Sequence, residues 1–223
     1  MKKIKKLRSS AINKSATFHF EAQLGYQGVA GIDEAGYGAW AGPVAVCAVM
    51  LNVRSFPEEL QKIVYDSKHL KIKMRTLIHD IFVSNPEYGV SYVEMVWPEE
   101  IHQLNVLNAT LCGMERALLK FVPQPSHALI DGPRRIPFLS KDITQHPIIK
   151  GDQKSYSIAM ASIIAKVQRD LLMKEMHQQY PLYGWDTNKG YGTKKHEEAL
   201  KMFGCCPYHR KGYKIKGLQT RLN

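Results

Sequence analysis

Apolar runs and helical stripes alternate along this chain in an order that predicts an α/β fold. Gln27 to Glu34 reads as a strand, and the Val- and Ala-rich run Pro43 to Leu51 as a second, paired with it as a hairpin. Val90 to Trp97 has the aromatic and β-branched content of a third strand. Pro98, followed by Glu99 and Glu100, opens a helix to about Phe121, on which Ile101, Leu104, Leu111, Met114 and Leu118 approximate one stripe. Ala128 to Asp131 and Pro147 to Lys150 are two short strands, with a loop from Gly132 to Gln145 between them. Ser155 to Gln179 is the predicted central helix: Ile158, Ala161, Ile164, Ala165, Val167 and Leu171 recur at helical spacing, and its alanine-rich first half suits close packing on a sheet. Strands first, then strand and helix in alternation, imply a mixed sheet flanked by helices. From Tyr180 the texture changes to Gly, Tyr, Lys and His, which predicts a small C-terminal helical or loop subdomain. The reading is therefore a basic extension over 1–24, a main domain over 25–180 and a C-terminal segment over 181–223.

Charge placement says more than the total of +11. Residues 1–20 carry +6 and residues 189–223 carry +7, leaving −2 for the stretch between. A near-neutral body with basic ends suits a core that grips a polyanion. At 223 residues the chain can bury a substantial core without staples. Cys47, Cys112, Cys205 and Cys206 include no CxxC pair, and Met1 to Leu7 lacks the apolar stretch of a signal peptide, so a cytoplasmic protein with reduced thiols is expected. Cys205, Cys206 and His209 lack a fourth partner at zinc spacing and read as ordinary side chains. No apolar run approaches the ~20 residues needed to span a membrane, and the expected state is a monomer without membrane contact.

The candidate chemistry lies in acids at strand ends. Asp33 and Glu34 close the first strand ahead of Gly36, Asp131 closes Ala128-Leu129-Ile130, and Asp152 follows Ile148-Ile149-Lys150-Gly151; Asp66 stands in Tyr65-Asp66-Ser67-Lys68. An apolar strand that delivers an acid to its end is how α/β sheets present catalytic groups. Each acid alone reads first as a cap or turn residue, and it is the four together, three of them after apolar strands, that resist that reading. Neighbours on a regular strand point to opposite faces, so Asp33 and Glu34 share a site only where the strand bends or ends, which Gly36 permits. Gly36-Tyr37-Gly38-Ala39-Trp40-Ala41 formally fits a dinucleotide fingerprint, but Gly42-Pro43 and a strand follow where that fingerprint needs a helix. Carboxylates gathered in a basic chain instead suit hard cations, Mg²⁺ or Mn²⁺. Two such ions roughly 3.5 to 4 Å apart can hold the attacking water and leaving oxygen of a phosphodiester.

Several blocks in order resemble bacterial ribonuclease HII: Gly31-Ile32-Asp33-Glu34-Ala35-Gly36 with Ala41-Gly42-Pro43-Val44, Asp66-Ser67-Lys68, Ile130-Asp131-Gly132, Gly151-Asp152-Gln153-Lys154-Ser155, Ala161 to Asp170, Lys189-Gly190-Tyr191-Gly192-Thr193 and Pro207-Tyr208-His209-Arg210. The match runs from about residue 26 to 210. The resemblance implies a ribonuclease H-like fold and hydrolysis of the RNA strand of RNA/DNA hybrids. It further implies nicking 5′ of ribonucleotides embedded in duplex DNA, leaving 3′-hydroxyl and 5′-phosphate ends, with two Mg²⁺ or Mn²⁺ ions when substrate is bound. Carried over by motif, Asp33, Glu34, Asp131 and Asp152 would be the catalytic, metal-binding acids. Gly36, Tyr37 and Gly38 would meet the 2′-hydroxyl at the junction, Tyr191 would stack on a neighbouring sugar, and Lys68 and Lys189 would lie near phosphates. Lys166 and Arg169 read as solvated helix ends or weak phosphate contacts. Tyr37 stands where the family usually has Arg, which removes a multidentate contact that a phenol does not reproduce. A metal-dependent DNA nuclease on a related fold and a non-catalytic nucleic-acid-binding protein are the rival readings.

Overall fold

The computed structural model describes residues 16–64 and 70–212. Five strands form one sheet in the order β3-β2-β1-β4-β5. They are β1 (Val29–Ala35), β2 (Val44–Leu51), β3 (Gly89–Val96), β4 (His127–Asp131) and β5 (Thr144–Ile148). The first three are antiparallel neighbours, whereas β4 runs parallel to β1 and β5 parallel to β4. This is the mixed sheet that the alternation of elements predicts.

Two long helices cover its faces. α4 (Pro98–Leu119) lies over Ala30, Ile32, Val44, Val46 and Ala48, while α5 (Tyr156–Gln179) covers Ala35, Ala45, Cys47 and Val49. Strand alternation divides β1 between them, with odd positions toward α5 and even positions toward α4. Gly31 faces α5 so closely that a Cβ there would stand 2.3 Å from the Ile158 backbone nitrogen. The small residues Ser157, Ala159, Ala161, Ser162 and Ala165 allow this contact. α5 starts at Ser155, whose hydroxyl accepts the Ile158 N–H. Its first turn is tied to α1 (His19–Gln23) by buried Glu21, whose Oε1 accepts from the Ser155 and Ser157 hydroxyls and the Ser157 N–H.

Three sequence expectations need correction. The helix from Pro98 is broken at Asn105, which leaves helical geometry (φ 64, ψ 163) and accepts the N–H groups of Leu107 and Asn108, capping a second segment. The last strand lies at Thr144–Ile148 rather than Pro147 to Lys150. Its Thr-Gln-His-Pro lacks an apolar signature because it is an edge strand, the one position where Pro147 costs no ladder bond. On α5, Leu171 is 47 % exposed whereas Arg169 is fully buried. The reading also assigned no element between the second and third strands, where α2 (Glu58–Gln61) and α3 (Ile72–Val83) stand.

After α5 come α6 (Trp185–Asn188) and α7 (Lys194–Phe203). Trp185, Tyr183, Ala199 and Leu200 pack with Ala41, Met173 and Met176, so the C-terminal residues rest on the far half of α5 and on the β1–β2 connection. None of the described helices is long and apolar enough to cross a membrane.

Candidate active site

Asp33 occupies an odd position of β1 and is buried on the α5 side, opposite Cys47 in the β1–β2 register. Its Oδ1 accepts the Glu34 N–H at 2.7 Å, and the Ser162 hydroxyl of α5 bonds the same carboxylate. Burial pushes the Asp33 carboxyl well above the usual range, and the neighbouring Glu34 and Asp131 carboxylates push it further. Asp131 ends β4, one residue beyond the Ile32–Ile130 pair. In a parallel pair that places it beside Asp33 on the same face of the sheet. Its Oδ1 accepts the Gly151 N–H at 2.7 Å, fastening the turn after β5 to the end of β4. Asp152, 4 % exposed, follows in the 3-10 turn Gly151–Gln153 that leads into α5.

Glu34 behaves as strand alternation demands. It sits at an even position, half-buried, paired in register with Val46 on the α4 side, one residue before β1 ends. Asp33, Asp131 and the Asp152 turn thus share the α5 side at the carboxyl ends of parallel strands, and Glu34 approaches from the rim. Among the described residues no group of three or more His, Cys, Asp and Glu side chains stands ready-made to hold a metal ion. The donor chemistry still suits a hard cation: these groups offer only carboxylate oxygens, and around Asp33 they crowd at the cost of mutual repulsion.

The substrate-facing candidates divide. Gly36 is buried with φ +89, and Tyr37 and Gly38 are exposed. Lys189 is half-buried in a left-handed conformation, its ammonium bonded to the Asp186 carbonyl, and burial lowers its pKa. The Tyr191 ring has Lys166 Nζ at 5.5 Å and Arg169 Cζ at 5.3 Å from its centroid. Lys166 also pairs with Asp170 at 2.6 Å. Lys68 and Asp66 lie outside the described residues.

The reading of Arg169 as solvated or phosphate-facing is overturned. Its guanidinium donates to the carbonyls of Pro43 (2.8 Å), Ala41 (3.1 Å) and Lys189 (2.9 Å). Arg210, also fully buried, donates to the carbonyls of Gly42 (2.9 Å) and Tyr37 (2.8 Å). Two arginines therefore satisfy four carbonyls of the Tyr37–Pro43 segment, a job that a backbone turned away from its own sheet cannot do for itself. A signal existed: Arg169 stands four residues from both Ala165 and Met173, within a buried stripe. Burial and a neighbouring His196 push His209 down to about 4, and burial also lowers His196.

The family model described as Ribonuclease HII matches residues 30–216. The chain belongs to the ribonuclease HII family. A ribonuclease HII of Endomicrobium trichonymphae is 48 % identical over 187 residues, covering 83 % of this chain and 85 % of that protein. Among solved structures, the ribonuclease H2 of Pyrococcus horikoshii OT3 is similar with a TM-score of 0.67 and 28 % identity, over 82 % of this chain and 92 % of that one. A Bst-RNase HIII solved in complex with Mn²⁺ shares the fold (TM-score 0.63, 19 % identity, 89 % of this chain and 71 % of that one). This member of the ribonuclease HII family is an endoribonuclease acting on RNA/DNA hybrids. Its fold is ribonuclease H-like, as the sequence resemblance implies.

Proposed function

We propose that Asp33, Glu34, Asp131 and Asp152 hold divalent cations, Mg²⁺ or Mn²⁺, against the scissile phosphate. Such ions supply an activated water and neutralise charge on the leaving oxygen. The observation that carries this reading is the convergence of Asp33 and Asp131 on one face, with Gly151 N–H drawing the Asp152 turn to the Asp131 carboxylate. The chain's own contribution is positional. Ser162 and the Glu34 N–H fix the rotamer of Asp33, the Gly151 N–H fixes one oxygen of Asp131, and α5 shields this face from bulk water. The Mn²⁺ complex of the Bst-RNase HIII supports an ion of this class.

The enzyme nicks 5′ of a ribonucleotide embedded in duplex DNA, leaving 3′-hydroxyl and 5′-phosphate ends. The Gly36–Gly38 turn, exposed at Tyr37 and Gly38, offers backbone groups to the 2′-hydroxyl, the feature that separates RNA from DNA at a site. Tyr191 presents its ring to the adjoining sugar, and Lys68 and Lys189 contribute to the phosphate path. The protein acts as a cytoplasmic monomer on RNA/DNA hybrids and on duplex DNA carrying ribonucleotides, with 1–24 and 181–223 flanking the catalytic domain.

End-mapping of a duplex with one ribonucleotide, with Mg²⁺ and Mn²⁺ titrated separately, tests this. A single ion-dependent nick on the 5′ side supports it; cleavage of an all-DNA duplex favours the DNA-nuclease alternative. Tyr37→Arg is expected to change the ratio of cleavage at a lone ribonucleotide to cleavage in a long RNA tract. Unchanged relative rates would remove any role for that side chain in junction choice.

A further inference from the structure

Two segments carry the substrate-reading groups, and they are far apart in the chain: Gly36–Gly38 after β1, and Lys189–Gly192 between α6 and α7. They are tied just past the first, where the Gly190 carbonyl accepts from the Trp40 N–H (2.8 Å) and the Ala41 N–H (3.2 Å). A Cβ on Gly190 would stand 2.4 Å from the Ala41 carbonyl oxygen, so the approach has no slack. Arg169 fills the angle between them. It holds Ala41 and Pro43 on one side and Lys189 on the other, and its guanidinium lies 5.3 Å from the Tyr191 ring centroid. On the side of β1 it abuts Gly36, where a Cβ would stand 1.9 Å from Arg169 Nε.

We infer that Arg169 is a positioning residue for junction recognition: its bonds to the Ala41 and Pro43 carbonyls just after the Gly36–Gly38 turn, its close approach to Gly36, its bond to the Lys189 carbonyl and its contact with the Tyr191 ring hold turn and ring as one rigid reader. The inference rests on the assignment of those two segments to substrate binding. Its consequence is selective. At a lone ribonucleotide one register alone presents a hydroxyl to the turn while the ring meets the next sugar, so the spacing of the two segments decides productive binding. Along a continuous RNA strand every register presents a hydroxyl, and a displaced ring costs less. A buried arginine that served stability alone would penalise both substrates equally.

Lysine keeps the charge near Tyr191 but lacks the planar fork that serves three carbonyls in different directions. Arg169→Lys is therefore expected to lower kcat/KM for duplex DNA with one ribonucleotide at least about tenfold more than for a continuous RNA/DNA hybrid. Because Arg169 acts through Tyr191, adding Arg169→Lys to Tyr191→Leu should cost less than about threefold further on the single-ribonucleotide duplex. Equal losses on both substrates by a cooperatively melting Arg169→Lys protein, or losses that multiply in the double variant, overturn the inference. Should Arg169→Lys fail to melt cooperatively, Arg169→Gln, whose planar amide can donate to one or two of the carbonyls but not to all three, is the second variant. The same selective loss is expected there, and an unselective loss again overturns the inference. Wild-type protein that cuts neither substrate refutes the assigned activity itself, whereas wild type that cuts both beside unselective variants refutes the role of Arg169 alone.

Discussion

Replacing Asp33 by Asn should separate stability from catalysis in this fold. Asp33 is buried with two carboxylates for neighbours. Its Asn replacement keeps the oxygen that accepts the Glu34 N–H and retains a hydrogen-bonding partner for Ser162, so what the substitution removes is charge. Adjacent strands lie about 4.8 Å apart, so Asp33 and Asp131 at about 5 Å repel by ~3 kcal/mol at an effective dielectric constant of about 20. Asp131 is half-buried and shares its charge with the Gly151 N–H, which brings the expected gain on neutralising Asp33 to about 1–3 kcal/mol. For a chain of this size that corresponds to a melting temperature higher by roughly 2–12 °C. The assay is thermal melting of chelator-treated wild type and Asp33→Asn, repeated with Mg²⁺ or Mn²⁺, beside cleavage of a hybrid. The variant should melt above wild type without divalent ions and gain less from their addition. It should also lose at least about a hundredfold in cleavage rate, the scale of removing one preorganised charge-stabilising group. If it melts below wild type in chelator, the Asp33 charge is a structural asset and the crowding argument is refuted.

Three further outcomes are expected. His209 sits at about 4 against an ordinary 6.5, so below pH 6.5 the unfolded chain takes up a proton that the folded chain refuses; stability is complete above 6.5 and falls toward pH 4 by at most about 3 kcal/mol. Denaturant unfolding of wild type and His209→Gln across that range checks this, and equal slopes for the two proteins refute it. Gly31→Ala drives a methyl against the Ser157 and Ile158 backbone, which has nowhere to retreat, and should cost about 1–3 kcal/mol or more in the same unfolding assay. Binding of a hybrid by the inactive Asp33→Asn protein should weaken about a hundredfold between 50 and 200 mM salt if about four phosphates are neutralised, and a flat response in a filter-binding or anisotropy titration would exclude electrostatic gripping.

Periodic apolar signals predict the sheet and its two covering helices well, because strands β1 to β4 and helix α5 bury residues at the spacing that their geometry imposes. Signal fails where burial is not what holds an element. β5 is a polar edge strand held by β4 alone, and α3 presents a mixed surface with buried Arg75 and His79. Asp33, Glu34 and Asp131 stand out in the sequence because apolar strands carry them, whereas Asp152 lies in a turn after the polar edge strand β5. Alternation already separates Glu34 from Asp33 in the sequence, but that Asp131 stands beside Asp33 follows only from the β1–β4 register.

The groups hidden from sequence reading are those whose partners are main-chain atoms. Arg169 and Arg210 bond carbonyls, which leave no trace in residue identity. The same holds for the chain of rings behind Tyr191. The Cys206 N–H donates to His209 Nδ1 (3.0 Å), which leaves the proton of neutral His209 on Nε2, facing His196 Nε2 (3.0 Å); His196 then carries its own proton on Nδ1, directed at the Tyr191 carbonyl (3.0 Å). Only neutral rings satisfy every link, since protonating His209 at Nδ1 would set donor against donor at Cys206. Burial that lowers both histidines therefore maintains the direction of the whole relay, and the loop bearing Tyr191 is held by His196 and His209 on one side and by Arg169 on the other. Acid that protonates His209 therefore loosens the Tyr191 carbonyl through the ring relay itself, because the relay runs from Cys206 to the reader and makes no bond to the carboxylates.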